Sequence, residues 1–341
     1  MITPLKDRGA CGGVILALCL TAWQARAADD LLPSWNDGPA KQAIVEFVEA
    51  VTTEGGADFV PPEDRIATFD QDGTLWVEHP LYGQAMFALD RIKALAPEHP
   101  EWKNQEPFKA VLAGDREAMG KFTEQDWERI IAATHAEITN EAFSEIVRTW
   151  LARAKDPRFK RAYTELVYQP MLEVMEHLRA NNFRTYIVTG GGQEFVRVYS
   201  QEVYGVPVEQ VIGSSIATTY EYQDGKPVLM REPKVFFIDD KAGKPIGINL
   251  IIGKRPYAAF GNSGGDREML EWTGAGDGAR LKMLVLHDDA EREYAYGPAN
   301  GLPDSKVGTF PQALADEAKA KGWIVISMKN DWKTILSEAA K

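Results

Sequence analysis

Beyond residue 27 the sequence has no cysteine; its two, Cys11 and Cys19, both come earlier. That excludes a disulfide framework, a thiolate metal cluster and a thiol nucleophile from residues 28–341. Histidine is also scarce. The five, at positions 79, 99, 135, 177 and 287, show no zinc-type spacing. Positive charge is in deficit: 38 Lys and Arg stand against 50 Asp and Glu. Residues 1–27 hold three basic and one acidic residue, so the remainder carries 35 against 49, a net charge of −14. Such a surface disfavours nucleic acid and anionic membranes. Any site that handles an anion must therefore concentrate positive charge locally. There are no low-complexity tracts and no repeats. The glycine-rich segment 274–278 has no Lys-Ser/Thr after it, which excludes a P-loop.

What is present begins at the start of the chain. Lys6 and Arg8 precede an apolar run from Val14 to Trp23, and Ala25-Arg26-Ala27 follows as a small-x-small cleavage site. The run is shorter than the roughly 20 residues that span a bilayer. This pattern predicts a signal peptide over 1–27, and an exported protein, periplasmic or secreted, with no membrane attachment after cleavage.

The remaining length suits one large domain with an insertion. Apolar residues at helical spacing predict a helix over 40–51, broken by Gly55-Gly56 and Pro61-Pro62. Residues 65–69 form a β-prone run ending at Asp70. The stretch from Tyr82 to about Leu166 reads as helical, with Trp102, Phe108, Phe122, Trp127, Ile130, Ile146 and Trp150 on apolar faces. Then strands and helices alternate. A helix over 171–180 precedes a buried strand over 185–189, and a helix is expected over 193–203. Strands with a turn at Asp224-Gly225 fill 211–238. A helix opening at Lys244, strands at 257–260, 281–286 and 323–328, and a helix over 311–321 complete the pattern. Alternation of this kind predicts an α/β fold, a parallel sheet with helices on both faces. Active sites of such sheets lie at the carboxyl ends of the strands. Three polar segments fall there: 70–74, 189–192 and 261–266. His287-Asp288-Asp289 also follows a strand, where it could touch the edge of the site, but reads as a surface loop.

In Asp70-Gln71-Asp72-Gly73-Thr74, two carboxylates leave a strand end two residues apart, and Gly73 permits a tight turn. The segment resembles the Asp-x-Asp-x-Thr first motif of haloacid dehalogenase superfamily phosphatases. Thr189 matches the Ser/Thr at the end of that family's second core strand. Lys244 resembles the lysine of its third motif, with Lys241 the competing choice. Gly261-Asn262-Ser263-Gly264-Gly265-Asp266 looks like the acidic fourth motif, with Asn262 where many relatives have Asp. Thr189-Gly190-Gly191-Gly192 resembles the Ser-Gly-Gly of the phosphoserine phosphatase-like branch.

The resemblance implies a Rossmann-like α/β core over 28–77 and 168–341, with a helical cap of the C1 type inserted over 78–167. It implies a phosphomonoester hydrolase that forms an aspartyl-phosphate. Asp70 would be the nucleophile and Asp72 the general acid and base. Mg²⁺ would be held by Asp70, the backbone carbonyl of Asp72 and Asp266, with Asn262 as a ligand or water-orienting group. Thr189, Gly190, Gly191 and Lys244 would bind the phosphoryl oxygens. Glu78 lies eight residues past Asp70, where similar phosphoserine phosphatase-like enzymes place a substrate-reading glutamate; read alone, it is equally an exposed acid. The expected partner is a small phosphomonoester. Two alternatives remain: a phosphotransferase using the same residues, and a non-catalytic phosphate-ligand binder that kept the fold. A dehalogenase is disfavoured, since that branch does not use a second first-motif aspartate.

Overall fold

The computed structural model describes residues 30–337; the leader expected over 1–27 lies outside them. The described residues from Leu31 onward form one unit. Its frame is a seven-stranded sheet: β1 Ile66–Phe69, β2 Arg184–Gly192, β3 Val211–Gln223, β4 Lys226–Phe237, β5 Ala258–Gly261, β6 Leu281–Leu286 and β7 Ile324–Ser327. The spatial order is β4-β3-β2-β1-β5-β6-β7. All pairs are parallel except β3 with β4, a long antiparallel hairpin at one edge. The order reverses at β1, which places the first polar segment at the topological switch point.

Strand alternation builds two cores, one on each face. Ala67, Phe69, Ile187, Phe260, Met283 and Val285 point into one apolar cluster. Ile66, Tyr186, Val188, Ala259, Leu284 and Leu286 point into the other. Because both faces are covered, β1 and β5 are buried at every position, which is why they read as continuous apolar runs. Phe69 and Phe260 stack across the centre, with ring centroids 4.4 Å apart and planes 4° from parallel. Each such ring contributes on the order of 1.5–3 kcal/mol by burial.

Between β1 and helix Gln169–Ala180, which leads into β2, the chain is helical: Gly83–Leu95, Phe108–Ala113, Arg116–Met119, Glu124–His135 and Asn140–Leu151. Thr123 and Asp126 form a reciprocal capping box that starts the fourth of these. Ala88, Leu89, Ile92, Trp102, Phe108, Val111 and Ile130 give this block a small core of its own. Its last helix instead sends Phe143, Val147 and Leu151 into the main core.

Two expectations change. The helix expected over 193–203 is broken into Gln193–Arg197 and Ser200–Tyr204. Tyr199 and Tyr204 are buried there and their rings meet at 6.1 Å, so packing overrides local propensity. The sheet is mixed, because the Asp224-Gly225 turn folds β4 back on β3. Both turn residues have positive φ, as a tight hairpin requires.

Candidate active site

Asp70 leaves β1 still paired to the sheet, its N–H donating to the Phe260 carbonyl at 2.9 Å. The chain then turns back, Gly73 N–H donating to Trp76 O at 2.9 Å. Gly73 has φ +71°, and a Cβ there would lie 2.1 Å from Asn262 Nδ2 and 2.4 Å from Glu78 Oε1. Only glycine fits, on both backbone and spatial grounds.

Lys244 lies in the first turn of helix Gly243–Ile251 and is buried. Its Nζ donates to Asp70 Oδ1 at 2.5 Å, Asp266 Oδ1 at 2.5 Å and the Val188 carbonyl at 2.9 Å. All three ammonium protons are thereby used. Burial alone would lower its pKa, but the two carboxylates more than offset that and hold it above the usual lysine range. Lys241, the competing choice, is exposed and has φ +51°. Asp266 Oδ2 accepts from Asn262 N–H at 2.9 Å and Ser263 N–H at 3.0 Å, which fixes the fourth segment around it.

The acids outnumber the cation. Burial, then repulsion from Asp266, raises the Asp70 carboxyl well above the carboxylate range, with Lys244 opposing. Burial pushes Asp72 up to about 6, although Trp76 Nε1–H donates to its Oδ1 at 2.6 Å and favours the charged form. Asp239, which the sequence reading did not single out, is fully buried beside the Thr189 backbone N–H. Burial raises it to about 7 against the pull of Lys244. Its neighbour Asp240 is raised by burial as well. Both follow the end of β4, the position that marks the other site residues.

A site with excess buried carboxylate and only oxygen donors suits a hard divalent cation. Asp70 Oδ1 and Asp266 Oδ1 share one ammonium at 2.5 Å each, so they lie no more than 5.0 Å apart. Ligands to Mg²⁺ sit at about 2.0–2.1 Å, a gap small shifts would close. No group of three or more His, Cys, Asp or Glu forms a metal cage among the described residues. Two carboxylates, the Asp72 carbonyl and water require none.

Thr189 is the last β2 residue before a break in its pairing with β3, which resumes at Gly192 opposite Ser214. The break frees Gly190 and Gly191 from the ladder. Gly191 N–H donates to Thr189 Oγ1 at 3.0 Å, which still leaves that hydroxyl a proton to donate. A carbon placed out from Gly191 would lie 3.2 Å from Thr189 Oγ1, 3.3 Å from Gln84 Oε1 and 3.6 Å from Asp72 Oδ2. The second segment and the Asp72 carboxyl thus converge on one small space.

On the other side of the turn lies a network that the sequence reading missed. Glu78 is neither exposed nor open to solvent; it is 2% exposed. Its Oε1 accepts from Tyr296 OH at 2.8 Å and Asn262 Nδ2 at 2.7 Å. Asn262 Oδ1 accepts from Thr74 Oγ1 at 3.3 Å, so the whole amide braces the turn. Burial raises Glu78 well above the carboxylate range. His287, expected in a surface loop, is buried and 2.8 Å from the Gly73 carbonyl through Nε2. A carbonyl only accepts, so Nε2 carries a proton; Nδ1 faces Glu293 Oε2 at 3.1 Å. Tyr296 stacks between His287 and His79, with centroids 4.4 Å from each. The available signal was position: His287 follows β6 as Asp70 follows β1 and Asn262 follows β5.

No curated protein matches the chain. Among solved structures, a protein of unknown function from Bordetella pertussis Tohama I is 18% identical with TM-score 0.45, covering 77% of this chain and 97% of that one. A phosphoserine phosphohydrolase-like protein from Francisella tularensis is 15% identical with TM-score 0.36, covering 65% and 88%. A probable phosphoserine phosphatase from Vibrio cholerae is 15% identical with TM-score 0.35, covering 67% and 58%. The family model described as haloacid dehalogenase-like hydrolase matches residues 67–271, more than half of the sequence and all four site segments. This chain belongs to the haloacid dehalogenase-like hydrolases.

Proposed function

We propose that the protein is an exported, magnesium-dependent phosphomonoester hydrolase acting on small phosphorylated metabolites. The observation that carries this reading is the Asp70–Lys244–Asp266 cluster, with Asp72 beside it in a different environment. Residues 1–27 would be the cleaved leader, 28–77 with 168–341 the core, and 78–167 the cap that excludes bulk water.

Asp70 Oδ attacks phosphorus and the ester oxygen leaves, giving an aspartyl-phosphate. Asp72, raised to about 6 by burial, supplies the proton to the leaving oxygen. The ionised Asp72 then takes a proton from water, which attacks phosphorus and releases phosphate and free Asp70. Thr189 Oγ1 and the loop amides orient the phosphoryl oxygens, and Lys244 neutralises charge beside Asp70. Asp70, Asp266 and the Asp72 carbonyl would hold Mg²⁺, which when bound supplies the positive charge that keeps Asp70 ionised and polarises a phosphoryl oxygen. One metal and one lysine offset a like-charge repulsion worth about 4 kcal/mol at ~4 Å and an effective dielectric of ~20.

The test is a screen of purified protein against small phosphomonoesters, phosphoserine included, with and without Mg²⁺. Metal-dependent phosphate release that Asp70→Asn abolishes supports the reading. Release that survives both chelation and Asp70→Asn contradicts it. Adding an alcohol acceptor distinguishes transfer from hydrolysis.

A further inference from the structure

Helix Gly83–Leu95, in the inserted block, carries Gln84 in its first turn. Gln84 Oε1 accepts from Gly192 N–H at 2.6 Å, 108 residues away. Its Nε2 lies 3.1 Å from His135 Nε2, at the end of helix Glu124–His135. His135 Nδ1 is 2.7 Å from Thr134 Oγ1, whose hydroxyl donates to the Ile130 carbonyl at 2.7 Å.

Every direction in this chain is determined. An amide N–H only donates, so the Gln84 oxygen faces Gly192 and its NH₂ faces His135. His135 Nε2 must then accept, which requires a neutral ring protonated at Nδ1. That proton is shared between Thr134 Oγ1, whose own proton is committed to Ile130, and the Ile131 backbone carbonyl. Burial independently keeps His135 neutral, pushing it down to about 3, with Arg231 and Arg91 acting in the same direction. The ring is wedged against Phe87 and Phe143, and its backbone carbonyl accepts from Arg231 Nε at 2.6 Å.

Gly190 and Gly191 lie outside the ladder, which holds Thr189 opposite Gly213 and Gly192 opposite Ser214, and they have little intrinsic stiffness. The loop is held from inside by Thr189 Oγ1 and from outside by Gln84. We propose that Gln84, oriented by His135 and Thr134, is a positioning residue by which the inserted helices set the shape of the 189–192 loop for a phosphoryl group. The inference rests on the phosphomonoester reading above. It makes the loop competent when those helices are seated, and places the Gln84 amide beside the space shared with Asp72 and Thr189, which limits the leaving group there to small ones.

The experiment is a double-mutant cycle on the full chain with Gln84→Ala and His135→Phe, the latter keeping an aromatic ring but no acceptor. The readouts are KM and kcat for a small phosphomonoester, and binding of inorganic phosphate by titration calorimetry. Each single variant is expected to raise KM and weaken phosphate binding roughly tenfold, the scale of one net hydrogen bond, with kcat changed much less. The double variant is expected to be no worse than the worse single variant, because both break one chain. Multiplicative effects, or a folded Gln84→Ala protein with unchanged KM and unchanged phosphate binding, overturn the proposal. If His135→Phe does not fold, Thr134→Val replaces it, removing the hydroxyl that shares the Nδ1 proton. Should the wild type bind phosphate yet hydrolyse no ester, the hydrolase reading fails while calorimetry on Gln84→Ala still decides this one. Should it bind no phosphate, both are overturned.

Discussion

The two sides of the 70–78 turn are built from the same kinds of residue and behave oppositely. On one side Asp70, Asp72, Asp239 and Asp266 surround a single Lys244, and three of the four acids are raised by burial. On the other, Glu78, Asn262, Tyr296 and His287 join hydrogen bonds that hold the turn. The first side carries uncompensated charge that a ligand and a cation would relieve. The second spends its polar groups on geometry. A buried acid therefore marks chemistry only when its partners leave it charge to offer.

The comparison can be broken most severely at Asp70. Asp70→Asn should reduce turnover by about 10⁴-fold or more. Its Tm should hold or rise, since it removes one of the mutually repelling carboxyls; parallel kinetics and thermal melts check both. Lys244→Ala should abolish activity and also destabilise by about 3–5 kcal/mol, because two buried carboxylates lose their cation. The contrasting variant Lys241→Ala should change neither.

On the bracing side the signature reverses. His287→Phe, which keeps a ring to stack on Tyr296, should cost roughly 1–3 kcal/mol in denaturant unfolding, since the Gly73 carbonyl loses its donor. Its kcat should fall by about tenfold, with KM little altered, as the turn that aims Asp72 relaxes. Glu78→Gln keeps an oxygen for Tyr296 and Asn262 and should fall within about 1 kcal/mol of wild type, with KM unchanged. A substrate-reading Glu78 would instead show a large rise in KM.

The smallest effect concerns pH. The proton-donating form of Asp72 is lost as pH rises through about 6, so the rate of leaving-group departure should decline above it. The Trp76 N–H stabilises the ionised carboxylate, so Trp76→Phe should raise that pKa and move the limb to higher pH. Phenylalanine retains a ring to stack on Tyr199, now 5.0 Å away. A limb that moves down, or not at all, breaks the assignment of that limb to Asp72.

Most of the charged side was legible, Asp239 excepted, because its acids and Thr189 follow strand ends and lie beside turn-forming residues. Asp70 precedes Gly73, Thr189 precedes three glycines, and Asp266 follows Gly264-Gly265. Local grammar suffices there. The bracing side is made of contacts that no local pattern encodes: His287 reaches Gly73 across 214 residues, and Tyr296 reaches Glu78 across 218. Gln84 was invisible for the same reason, as a polar residue on a helix whose partners come from β2 and another helix. The strands were readable from apolar runs, whereas the broken helix after Gly192 was not, because tertiary packing of Tyr199 and Tyr204 decides it.

The account stands on Asp70 as the atom donor to phosphorus. Acid quench during turnover, borohydride reduction of any acyl phosphate to homoserine, and mass spectrometry of the peptide carrying residues 70–74 test it directly. The expected result is homoserine at position 70, more abundant in Asp72→Asn, where water activation is lost. Phosphate release at full rate with Asp70 always recovered unmodified, or the label on Asp72 or another residue, would contradict it.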